Sequence, residues 1–143
     1  MATTVAALLS VLLPFRASAQ VLSPKQMARV MTPATAQEIA ASRNVELGAF
    51  SCSGGLTLTL LDLPSAPGKF LMTVNSASLL FESVPTQTGA VRLEERSVGL
   101  AWIQLPNKSM LLDQRAGQRL ADECANYAQQ TFAATRRLPT LLD

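Results

Sequence analysis

The chain contains no histidine. That single absence removes Ser-His-Asp and Cys-His triads, histidine general bases and histidine-ligated metal sites together. Aromatic residues are scarce, one Trp, one Tyr and five Phe, which argues against a surface that stacks nucleobases. Net charge is only +2, so nothing in the balance draws the chain to nucleic acid or to an anionic membrane. The only two cysteines, Cys52 and Cys124, lie too far apart for a C-x-x-C redox pair or a zinc knuckle. There is also no long apolar run. The stretch Thr3 to Phe15 falls short of the roughly 20 residues that span a bilayer.

What is present begins with that short apolar stretch. Ala17-Ser18-Ala19 follows it as a small-x-small site where a signal peptidase would cut before Gln20. Residues 1–19 are therefore read as an export signal, and the location as periplasmic or secreted. No Lys or Arg precedes the apolar run, and no Asp or Glu occurs before Glu38, so a transit peptide and a buried core helix stand as alternatives. Cleavage leaves about 124 residues, enough for one domain with its own core and no stable membrane span. In an oxidising compartment Cys52 and Cys124 would form a structural disulfide; two buried free thiols are the other reading.

Residues 20–45 form a lead-in rich in Ala, Thr and Pro. Ser23-Pro24 would start one short helix, and Thr35-x-x-Glu38 is a capping box for a second, with Pro33 between them. Residues 46–143 read as the folded domain. Leu56, Leu58 and Leu60 alternate with Thr57 and Thr59, the period of a strand with one buried face. Gly54-Gly55 and Asn75-Ser76 read as hairpin turns, and residues 62–68 and 85–89 as loops. Val98, Leu100, Trp102 and Gln104 share a strand face, Pro106-Asn107-Lys108 turns the chain, and Met110 begins its return. The segment Gly117 to Arg137 lacks proline, and Leu120, Cys124, Tyr127, Ala128 and Phe132 recur at helical spacing, which predicts a closing amphipathic helix. The fold class expected is all-β: a small antiparallel β-barrel of about eight strands, with an N-terminal helical lead-in and a C-terminal helix.

The remaining carboxylates do not suggest catalysis. Glu94 and Glu95 would point to opposite faces of a strand, and Asp122-Glu123 reads as a solvated corner. Neither pair has the arrangement of a glycosidase, so no enzyme activity, cofactor or metal is expected.

The order Phe50-x-Cys52-x-x-Gly55-x-x-Leu58, then hairpins, Thr88-Gly89-Ala90, Trp102 and Cys124 resembles the periplasmic and membrane-bound inhibitors of C-type lysozyme. The resemblance covers about Glu46 to Cys124, and it implies an eight-stranded barrel with a disulfide. It also implies two loops that enter the lysozyme cleft, a Ser-Gly-x-x-Tyr loop and a Trp-x-Lys-Gly-like loop. Thr88 and Gly89 then stand at the Ser-Gly position and Trp102 at the tryptophan. Arg92 occupies the tyrosine position, and Gln104-Leu105 the lysine-glycine position. A neutral amide binds a carboxylate about half as strongly as a charged donor, so Lys108 is expected to supply the missing ammonium. The resulting expectation is an exported lysozyme-inhibitor-like protein, with C-type lysozyme as partner and Thr88, Gly89, Gln104 and Lys108 as contacts. The alternative is a small periplasmic barrel that binds an apolar ligand or an envelope partner. A hydrolase using unrecognised carboxylates is the third and weakest reading.

Overall fold

The computed structural model describes residues 22–137; the export signal read in residues 1–19 lies outside this range. Two short helices come first, α1 (Pro24–Met31) and α2 (Ala36–Ser42). Each is started by a complete capping box. Ser23 and Gln26 exchange side-chain-to-backbone hydrogen bonds at α1, and Thr35 and Glu38 do so at α2.

Eight strands follow: β1 (Gly48–Ser51), β2 (Thr57–Asp62), β3 (Lys69–Val74), β4 (Ala77–Val84), β5 (Val91–Glu95), β6 (Leu100–Gln104), β7 (Ser109–Asp113) and β8 (Gln118–Cys124). They form one antiparallel sheet in the order of the sequence. An antiparallel bridge between Ser51 and Ala125 joins its two edges, and their backbone groups exchange hydrogen bonds at 3.1 and 3.0 Å. The sheet is thus a nearly closed barrel, which leaves little unpaired strand edge. The hairpin between β3 and β4 turns through Asn75 and Ser76, both at positive φ (46° and 67°), the backbone that a two-residue loop demands.

The alternation read from the sequence sends one face of each strand into the barrel. Leu93, Trp102 and Leu111 lie side by side across β5, β6 and β7, and Leu60 lies beside Met72 across β2 and β3. Together with Phe50, Leu58, Phe70 and Phe81 they fill the interior. The Phe50 and Trp102 rings meet edge to face with centroids 5.2 Å apart, a favoured aromatic geometry. The Cys52–Cys124 disulfide ties the end of β1 to the end of β8, next to the closing bridge.

One element differs from the expectation. Residues 118–124 form β8, and the C-terminal helix α3 spans only Tyr127–Arg137. The helical spacing was produced by an irregular strand. Two β7 residues, Ser109 and Leu111, pair with Cys124 and Ala121 across a register shift, and Glu123 has a positive φ of 52°. The irregularity turns both Ala121 and Cys124 inward, three positions apart, which imitates one face of a helix. Leu120 and Tyr127, expected on the buried stripe, are exposed. Val98 likewise leaves its strand: it sits exposed in the turn after β5, where the buried Glu95 carboxylate accepts hydrogen bonds from the Ser97 and Val98 N–H groups.

On the opposite face of β3, β4 and β5 lies a polar cluster that anchors the lead-in helices. Glu82 and Glu94 stand directly opposite one another, an arrangement that repels unless cations intervene. Lys69, Arg29 and Arg96 surround Glu82 at 3.7–3.8 Å, and Arg96 also reaches Glu38 of α2 at 3.6 Å. Ser83 Oγ donates to the Glu38 carbonyl. The helices are therefore joined to the barrel by charge as well as by packing.

Candidate functional site

Antiparallel connection in sequence order puts every second loop at the same end of a barrel. Residues 63–68, 85–90 and 105–108 accordingly share one end with the linker from α2 to β1 (residues 43–47). This gathers the two loops singled out from the sequence.

Thr88 and Gly89 are exposed at the tip of the β4–β5 loop. Thr86 Oγ1 donates to the Ala90 carbonyl at 2.6 Å and braces the loop from within. Thr88 Oγ1 accepts from the Ala90 N–H at 3.4 Å, and among the described residues nothing accepts its proton. Gly89 has a φ of +79° and open space where a Cβ would project. A side chain there would be strained by the backbone rather than by crowding.

Gln104 has another setting. It is buried, with Oε1 accepting from the Glu46 N–H at 2.9 Å and Nε2 donating to the Glu46 carbonyl at 2.8 Å. Its amide fastens the α2–β1 linker to β6, so it is not held out towards solvent as a contact residue would be. Alternation decides this: Gln104 falls on the same face as the fully buried Trp102.

Lys108 closes the tight β6–β7 turn, where its carbonyl accepts from the Leu105 N–H at 2.8 Å. Its Nζ lies 2.5 Å from Glu123 Oε1 at the end of β8. That hydrogen bond raises the Lys108 pKa, and the Glu123 charge adds to it. Next to it, the Glu123 N–H bonds the Asp122 carboxylate and, together with Arg119, lowers the Asp122 pKa. The ammonium expected to point outward is thus held sideways across β8.

Residues not singled out from the sequence set the position of these loops. Buried Gln129, on α3, donates from Nε2 to the Leu105 carbonyl and to Ser109 Oγ, both at 2.8 Å. Asn126 donates to the Leu47 carbonyl at 3.0 Å and pairs with Gln129 at the start of α3. These amides lock the β6–β7 loop, the linker and α3 to one another. Asn126-x-x-Gln129 is itself a local capping signal, with hydrogen bonds exchanged in both directions over three residues, but the partners that lock the loop and the linker lie 20 or more residues away.

Between the linker and the two loops lies a cavity of about 420 Å³, with Arg43, Asn44 and Glu46 on one side and Gly89, Gln104 and Pro106 on the other. A second cavity of about 450 Å³ adjoins it between α2 and the β4–β5 loop, and shares Asn44, Gly89 and Val91 with it. Among the described residues no three His, Cys, Asp or Glu side chains group as a metal site would require, and no helix is long and apolar enough to cross a membrane.

Comparison with family models, curated proteins and solved structures yields no match.

Proposed function

We propose that the chain is an exported protein-binding barrel of the lysozyme-inhibitor kind, which obstructs the cleft of a C-type lysozyme with its β4–β5 loop. One observation carries the reading. An eight-stranded antiparallel barrel, closed at its seam by the Cys52–Cys124 disulfide, presents Thr88 and Gly89 exposed at a loop tip. Fold, staple and loop then come in the order the resemblance requires. A lysozyme cleft keeps one carboxyl protonated and one ionised, and the Thr88 hydroxyl suits such a pair because it both donates and accepts. Lys108 reaches a cleft carboxylate only by leaving Glu123, so in this reading the hydroxyl loop leads and Lys108 stands at the rim.

The packed interior also bears on the alternative. With Phe50, Trp102, Phe81 and their neighbours filling the barrel, an apolar ligand has no place inside it, and binding falls to the outer surface. A barrel that holds an envelope partner without inhibiting a lysozyme is favoured by one fact, the burial of Gln104 at the family's lysine position. A turbidity assay of bacterial cell-wall lysis separates the two. Slowed lysis by C-type lysozyme with the purified chain at micromolar concentration supports inhibition; unchanged lysis removes it.

A further inference from the structure

We infer that the cavity between Arg43 and Gly89 receives a carboxylate side chain of the partner protein, with Arg43 as its cation. This deepens the reading above and rests on it for the identity of the partner. Three residues that line the cavity carry polar groups with no competing contact among the described residues. Arg43 is exposed at the end of α2, and among the described residues it has no carboxylate within ion-pair distance. This sets it apart from Arg29, Arg92, Arg96 and Arg119, each of which is paired. The Asn44 side-chain amide is likewise without a hydrogen bond among the described residues, and so is the Gly89 N–H. Arg43, Asn44 and Gly89 thus line one concavity, at the foot of the loop that carries Thr88.

The charge of the walls narrows the ligand. Glu46 also lines the cavity, its carboxylate only weakly engaged by Asn126 Nδ2 at 3.4 Å. The Glu46 charge repels a doubly charged phosphate more than a singly charged group, and a single carboxylate is matched by one guanidinium in a two-point contact. The position accords with insertion of a loop: as Thr88 enters a cleft, the hollow behind it receives the lip of that cleft. Arg43 then takes the charged role that the family pattern gives to a lysine, since Gln104 is buried and Lys108 is bound to Glu123.

The test is a titration of the isotope-labelled purified chain with acetylated, amidated hexaglutamate at low salt, followed through the backbone amides. Asn44, Gly89 and Gln104 should shift together. Arg43→Gln should weaken the response by about tenfold and Arg43→Lys by less, because the ammonium keeps the charge and loses the fork. Lys25→Gln, at an exposed position on α1 away from the cavity lining, should leave it unchanged. Shifts absent from those three amides, or equal in Arg43→Gln and the wild type, overturn the inference. The lysozyme arm is independent. If the titration behaves as stated and the wild type leaves lysozyme fully active, the lysozyme reading falls and the carboxylate site stands.

Discussion

Gln104 and Glu46 are joined in both directions: the Gln104 amide accepts from the Glu46 N–H at 2.9 Å and donates to the Glu46 carbonyl at 2.8 Å. This pair ties the α2–β1 linker to the barrel beside the candidate site. Truncation would leave two backbone groups unsatisfied in a half-buried setting. Gln104→Ala should therefore cost about 2–3 kcal/mol in urea denaturation. Gln104→Lys, which writes the family's lysine back, should be no better tolerated, because it buries an ammonium there. An unchanged midpoint in both variants would show that the pair contributes nothing to stability.

The disulfide closes a loop of 72 positions at the seam of the barrel. A chain-entropy treatment gives such a crosslink roughly 4 kcal/mol, acting on the unfolded chain. Cys52→Ser should lower the thermal midpoint under oxidising conditions, and reduction of the wild type should bring it to the same value.

Trp102 has no exposed surface and packs against Phe50. Its emission should be blue-shifted in the folded protein and resist quenching by acrylamide. A red-shifted, freely quenched signal would place the ring outside the barrel.

Glu38 has a lowered pKa, first because its carboxylate accepts from the Thr35 backbone N–H, with Arg96 adding an attractive charge. A carboxyl depressed in the folded state stabilises it above the unfolded pKa, about 4.3 for Glu. That contribution is lost as pH falls through the lower folded value. Glu38→Gln should thus flatten the acid limb of the urea midpoint below about pH 5 and reduce stability at neutral pH. Equal acid limbs would remove Glu38 from the account.

Inhibition assays address the loops. Thr88→Ala should leave stability unchanged, since the side chain is exposed and its one contact is a 3.4 Å hydrogen bond, while raising the half-inhibitory concentration by about threefold to tenfold. Lys108→Ala should weaken inhibition and reduce its salt dependence. Inhibition that survives both changes would move the contact surface elsewhere on the barrel.

Local features of the sequence were enough for several elements. The capping boxes at Ser23 and Thr35 act over three residues, and both helices begin where these residues place them. The alternation of Leu56 to Leu60 and the Asn75-Ser76 turn carry strand and hairpin within a few positions. The pairing of Cys52 with Cys124 was readable because only two cysteines were present. Thr88 and Gly89 were placed correctly at a loop tip for a similar reason: a run of turn-forming residues specifies its own exposure.

The tertiary structure decided what depends on distant partners. Whether residues 118–124 are strand or helix was set by the open edge of β7, whose backbone groups require a partner, and by the irregularity that brings Ala121 and Cys124 inward together. The direction of Gln104 was fixed by Glu46, 58 positions away, and that of Lys108 by Glu123, 15 positions on. Among the described residues Arg43 meets no carboxylate within ion-pair distance, which depends on where the fold places every acidic side chain. Hydrogen-bond periodicity is written in neighbouring residues, whereas a polar side chain goes to whichever partner the closed barrel brings within about 3 Å.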